Sequence, residues 1–287
     1  MKINDVVAYL DDRFHPEYQE DYDNAGFLVG DGTAEYKGAL VALDLTEAVV
    51  AEAKAAGLNL IVTHHPLIFG GLKSVTSRTA TGRMVIDMLR SGIAAYAAHT
   101  NLDNMPDGVN GVLCEKLGLV NTRILRVSAE CGVRSAELAG ASQLATGHCP
   151  LNTQHSTLNT EIGAGMIGEL KQETGTEEFM QTVKQRLGLP WLRLSGERKT
   201  VRRVAVCGGA GSFLIGDALA AGVDVYLTGD LKYHDFQRPE GRMLLVDIGH
   251  YESEQFALEI ISRAISEKFS NFACRISDTQ QGIVKYI

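Results

Sequence analysis

The chain has 287 residues, 45% of them hydrophobic, enough to bury a sizeable core as one large domain or as two lobes. Its formal net charge of -8 argues against a protein that coats nucleic acid, which needs a basic stripe, yet leaves room for a small anion held locally. Five cysteines, Cys114, Cys131, Cys149, Cys207 and Cys274, are scattered and form no C-x-x-C pair. That is the pattern of reduced packing thiols rather than of ligands or disulfides.

The N-terminus carries no basic region followed by a long apolar stretch, and no run reaches the ~20 apolar residues of a membrane span. A soluble cytoplasmic protein is the expectation. Asn4 is placed to cap a first helix carrying Val6, Val7, Leu10 and Phe14. After the turn Asp23-Asn24-Ala25-Gly26, the apolar run from Gly38 to Asp44 reads as a strand buried on both faces. Thr46 starts a helix that Gly57 ends. The strand Leu58 to Thr63 follows, then a helix around Arg83 to Ser91, then the strand Ile93 to Ala98. This is repeated β-α-β and predicts a parallel sheet, with ligands beyond the carboxyl ends of its strands.

A second α/β block begins near Val201. Its predicted strands are Arg202 to Cys207, Val223 to Thr228 and Met243 to Ile248, the last followed by a helix carrying Phe256, Leu258, Ile261 and Ile265. Phe272 to Ser277 and Ile283 to Ile287 are short and strand-like. Residues 121–195 are the least patterned, and Ser135 to Thr160, rich in Ala, Ser, Thr and Asn, reads as an elaboration or long connection. The organisation predicted is therefore a first lobe over 1–120, a connecting segment over 121–195 and a second block over 196–287.

Three distant segments supply ligands for divalent metals: Thr63-His64-His65-Pro66, His99-Thr100-Asn101-Leu102-Asp103 and His250-Tyr251-Glu252-Ser253-Glu254. Imidazole nitrogens and carboxylate oxygens are the donors that Zn, Fe, Mn, Co and Ni accept. His250 and Glu254 are four apart, hence on one face of a helix. Taken singly, a histidine is more often a packing or surface residue, and a His-x-x-x-Glu pair more often a surface pair. Strand ends are few, however, and five ligand-type residues at three of them would be a large coincidence.

Other residues carry weaker signals. Asp44 also ends a strand, where capping the helix at Thr46 is the simpler role. Gly208-Gly209-Ala210-Gly211 could present backbone N–H groups to a phosphate, but it matches neither a Walker A loop nor a dinucleotide fingerprint, and a tight β-α turn is the plainer reading. His234, after another strand end, and His99 are candidate proton carriers. His99 is also placed to orient Asp103 or to act as an extra ligand.

At these residues the chain resembles the Nif-three-like family, often described as GTP cyclohydrolase 1 type 2 homologues. The matching segments are Asp23 to Gly30, Leu43 to Thr46, Ile61 to Phe69, Ala98 to Asp103, Cys207 to Gly211, Leu227 to Asp230 and Gly249 to Glu254, in family order. The resemblance implies an α/β protein of two interlocked lobes with mainly parallel sheets and a dinuclear metal site in the cleft between them. It implies metal ligands at His64, His65, Asp103, His250 and Glu254, with Glu254 bridging two divalent ions. It also implies a toroidal homo-oligomer, commonly a hexamer. The family usually has Glu where Asp230 stands here.

The function expected is a metal-dependent hydrolase in which water activated by two ions attacks a nucleotide or another phosphate-containing small molecule. The cyclohydrolase reaction, on a cyclic amidine C–N bond, enters through the resemblance alone. The alternative is a non-catalytic metal-handling or regulatory interaction protein. A purely structural site is disfavoured, because such sites are closed and usually cysteine-rich.

Overall fold

Two sheets organise the chain, and the computed structural model describes residues 1–128, 161–279 and 282–284. The first sheet holds β1 (Gly26–Val29), β2 (Gly38–Ala42), β3 (Leu60–Thr63), β4 (Ala94–Ala97) and β11 (Ala273–Ile276), in the order β1-β4-β3-β2-β11. β4, β3, β2 and β11 run parallel, and only the edge strand β1 is antiparallel. All five residues of β2 are buried, as its apolar run predicts. Its side chains alternate between faces. Ala39 and Val41 meet α1 (Ile3–Phe14) and α9 (Ala257–Lys268), while Leu40 and Ala42 meet α2 (Glu47–Ala55) and α3 (Ala80–Ser91).

The helix ends follow local chemistry. Thr46 caps α2 by accepting the Val49 N–H, and Gly92 ends α3 in a left-handed conformation. α1 begins earlier than its sequence suggests: Lys2 is the capping position, and the Asp5 carboxylate accepts the Lys2 N–H at 2.7 Å.

The second sheet has the order β5-β6-β8-β9-β10-β7 and is mixed. β8 (Thr200–Ala210), β9 (Val225–Gly229) and β10 (Leu244–Asp247) are its parallel centre. β5 (Leu119–Val127), β6 (Gly163–Gly175) and β7 (Arg193–Ser195) add antiparallel strands outside it. Val204 and Val206 of β8 pack under α5 (Val109–Leu117) and α6 (Thr176–Leu187), while Ala205 and Cys207 face α7 (Ile215–Ala220). The described parts of 121–195 thus form strands and a helix of this sheet. The stretch 135–160, read as an elaboration, lies outside the described residues. So do residues 285–287, while 282–284 form no strand.

The lobes interlock because the chain leaves the second sheet and returns to the first. After α8 (His250–Glu254), helix α9 buries Leu258, Ile261 and Ile265 against the first sheet, and β11 pairs with β2. Full burial of each such aliphatic side chain contributes ~1.5–3 kcal/mol. Glu52 of α2 fastens the turn that follows β11, accepting hydrogen bonds from Ser277, Asp278 and Thr279. No helix among the described residues is long and apolar enough to cross a membrane.

Candidate metal centre

Parallel registry brings the ligand segments together. Ala42 pairs with Thr63 and Thr63 with Ala97, so the residues after β2, β3 and β4 emerge side by side. Those residues are Asp44, His64 with His65, and His99. Asp247 of β10 pairs with Thr228 of β9, which places Asp230 beside His250 at the start of α8. α4 (Thr100–Asp103) turns Asp103 back toward His64.

Two ligand groups meet across one carboxylate. His64 Nε2, Asp103 and Glu254 form the first; His65, His250 and Glu254 form the second. Glu254 Oε1 lies 3.8 Å from His64 Nε2, while Glu254 Oε2 lies 2.9 Å from both His65 Nε2 and His250 Nε2. One oxygen of the same carboxylate therefore faces each group. The two Nε2 atoms of His65 and His250 are 3.3 Å apart.

The imidazoles share a design. Each Nδ1 faces an acceptor, so Nδ1 carries the proton and donates it, leaving the Nε2 lone pair aimed inward. His64 donates to the Ala98 carbonyl at 2.7 Å, His65 to Asp44 at 2.7 Å, His99 to Asp23 at 2.8 Å and His250 to Asp230 at 2.8 Å. His64 is wholly buried, and its Nε2 has no hydrogen-bond partner; nor has Asp103 Oδ1, 3.6 Å away. Two buried acceptors facing each other without a donor are costly. Donors bound at ~2.1 Å to one ion at tetrahedral angles stand ~3.4 Å apart. The residues fit a divalent ion at each group.

The electrostatics agree. Burial raises Asp103 to about 7 despite the nearby His64. Burial also acts against Glu254, but hydrogen bonds with His250 and His65 and the close approach of His64 hold it well below the usual carboxylate range. His65 and His250 are half-buried, which by itself lowers an imidazole pKa. Hydrogen bonds to Asp44 and Glu254 raise His65 to about 10, and those to Glu254 and Asp230 raise His250 to about 9. A metal ion would therefore compete with a proton for the same Nε2 lone pairs. Burial works against ionised Asp23 too, yet His99 and Thr100 hold it at about 2.

The glycine run packs directly against the candidate ligands. β8 extends through Gly208 and Gly209 to Ala210, where the sequence suggested a tight turn. Gly209 has φ +61°, and a Cβ there would sit 2.0 Å from Glu254 Oε1. The N–H groups of Gly208, Gly209 and Gly211 donate to Asn110 Oδ1, Ser253 Oγ and Thr228 Oγ1. They are therefore not aimed at a phosphate.

A scan against family models matches residues 1–282 to Duf34/NIF3 (NGG1p interacting factor 3). The chain belongs to the Duf34/NIF3 family. Curated relatives named GTP cyclohydrolase 1 type 2 homolog include one from Clostridium perfringens, 32% identical over 94% of each chain. Another, from Lactococcus lactis, is 31% identical over 95% of this chain and 93% of the relative. Among solved structures, a Staphylococcus aureus protein superposes with a TM-score of 0.81 at 29% identity, over 100% of this chain and 99% of the other. A Bacillus cereus protein related to NIF3 gives a TM-score of 0.81 at 26% identity over the same shares.

Within this NIF3 architecture the five residues His64, His65, Asp103, His250 and Glu254 converge, and His99 joins them, close to both His64 and His65. His234 does not. It is exposed, stacks edge-on against Tyr233 and lines neither cavity beside the cluster. Asp44 orients His65, and the cap of α2 is left to Thr46 itself. Cys207 lines one cavity, but burial pushes its thiol up to about 12, which suits packing rather than ligation. Sequence reading missed Asp23 and the orienting role of Asp230. Asp23 sits in a loop with no periodic signal, and Asp230 follows a strand as many capping residues do. Asp230 adopts φ +55°, a left-handed conformation that Asp tolerates better than most residues.

Proposed function

We propose that the protein binds two divalent ions per chain and uses them to hydrolyse a small molecule, with a nucleotide as the first substrate to try. His64, Asp103 and Glu254 would hold one ion, and His65, His250 and Glu254 the other, with Glu254 shared. The observation that carries the reading is the split of the Glu254 carboxylate, one oxygen toward each imidazole group. When bound, such a pair lowers the pKa of water from 15.7 toward ~7 and polarises the bond under attack. Asp44 and Asp230 keep the His65 and His250 lone pairs aimed inward. His99 is the group we assign to proton transfer. Its Nδ1 is tied to buried Asp23, which leaves Nε2 to exchange a proton with a substrate in the cavity that His99 lines.

The mixed ligand set supports this over a structural site, because neither group has four protein donors and each leaves positions open. The names of the curated relatives favour a cyclic amidine C–N bond in a purine as the first bond to test. A ring-shaped homo-oligomer, a hexamer in the family pattern, belongs to the same reading. The competing reading is a metal-handling or interaction protein without turnover. The test is metal content with GTP turnover, followed by formate release, on gently purified protein and on Glu254→Ala. Bound metal with turnover that Glu254→Ala abolishes supports the hydrolase. Bound metal with no turnover of GTP or other nucleotides favours metal handling.

A further inference from the structure

Among the described residues two cavities adjoin the centre, and one of them reaches both ligand groups. The larger, about 710 Å³, touches His65 and His250 but neither Asp103 nor Glu254. The smaller, about 450 Å³, touches Asp103, Glu254, His65, His250 and His99. The smaller one is therefore where a substrate could meet both ions.

That cavity has an aromatic rim. Tyr22, Phe69 and Phe213 line it while remaining 61%, 51% and 46% exposed. The Tyr22 and Phe69 rings are 6.1 Å apart between centroids, and Phe69 lies 6.0 Å from the His99 ring. Large aromatic side chains left open around a mainly apolar cavity with a few polar groups mark a binding surface for flat, apolar-faced ligands.

The same cavity is poor ground for phosphates. Among the described residues no Lys or Arg lines it, whereas Glu20, Asp44, Asp103 and Glu254 do. Arg126 stacks on Phe213, but its guanidinium is paired with Asp217. The backbone donors of Gly208, Gly209 and Gly211 are already engaged. Two divalent ions would bring four positive charges. The carboxylates of Asp23, Asp44, Asp103, Asp230 and Glu254 already outweigh them at the cluster.

We propose that this cavity recognises its substrate by a planar, uncharged or cationic heteroaromatic ring stacked against Tyr22 and Phe69, and not by a polyphosphate. The proposal rests on the dinuclear reading and narrows its substrate class. The nucleotide's base, rather than its phosphate tail, would then be the part that is read.

The test is equilibrium binding of guanosine, adenosine, 2-aminopyrimidine, GTP and tripolyphosphate, with metal content measured on the same samples. Guanosine and GTP are expected to bind within about threefold of each other, without competition from tripolyphosphate. Stacking losses on this scale make Tyr22→Ala and Phe69→Ala each about 10- to 100-fold weaker for the ring probes, with metal content unchanged. The proposal is overturned if none of the three ring probes binds, or if both variants bind them as the parent does. It is also overturned if GTP binds more than about tenfold tighter than guanosine and tripolyphosphate displaces it. Metal-loaded protein that fails these tests sinks only the ring proposal, whereas protein that takes up no metal sinks the dinuclear reading.

Discussion

Gly209→Ala offers a sharp test of how the centre is supported. The new Cβ would stand 2.0 Å from Glu254 Oε1 and 2.9 Å from Glu254 Cδ, so the carboxylate must retreat by about 1 Å or more to reach an ordinary contact. Metal–oxygen bonds are ~2.0–2.2 Å long, and a retreat of that size breaks ligation. Alanine at φ +61° also costs ~1–2 kcal/mol of backbone strain. Gly57→Ala is the matched control, because Gly57 has φ +68° with nothing within 4 Å of its added Cβ. Both variants should lose ~2–6 °C in Tm, from that strain. Only Gly209→Ala should lose bound metal, read by mass spectrometry of the purified protein. Full metal occupancy in Gly209→Ala would refute the placement of Glu254 between the two groups.

Three further outcomes follow from the orienting contacts. Asp44→Ala removes the acceptor that fixes His65 and should weaken metal binding about 10- to 100-fold in chelator competition, with the fold intact by circular dichroism; unchanged affinity would argue against that role. His99→Gln should keep the metal and lower turnover about 10²- to 10⁴-fold, and loss of metal instead would make His99 a ligand. The raised values of His65, about 10, and His250, about 9, give metal-free protein a stabilisation that is full below pH ~6.5 and lost as pH climbs through 9 to 10. Metal binding near pH 7.5 should accordingly release protons, seen as a buffer-dependent heat in calorimetry, and affinity should rise with pH across that window. A heat independent of buffer would contradict the protonated state of these imidazoles.

Much of the first sheet was legible because β2, β3 and β4 are short, continuously apolar and buried on both faces. Their shared polarity then predicts where His64, His65 and His99 emerge. The second sheet was harder to read. β6 runs for 13 residues with Gly163, Gly165 and Gly168 inside it, and its far half is mostly exposed and polar, so neither alternation nor apolar content marks it as a strand. Gly208 to Ala210 looked like a turn because glycine usually breaks strands. Here glycine is needed for the close approach of Glu254. The candidate ligands His64, His65 and His250 were visible as histidines at strand ends, but the orienting roles of Asp23, Asp44 and Asp230 were not, since nothing local distinguishes an orienting carboxylate from a cap. Their roles come from registry: two residues beyond the Ala42–Thr63 pair, Asp44 and His65 lie abreast.

The most direct measurement is anomalous diffraction from crystals of metal-loaded protein. Two peaks ~3.5–4 Å apart are predicted, one against His64 and Asp103, the other against His65 and His250, with the Glu254 carboxylate between them. A single peak, or metal bound away from Glu254, would contradict the dinuclear centre.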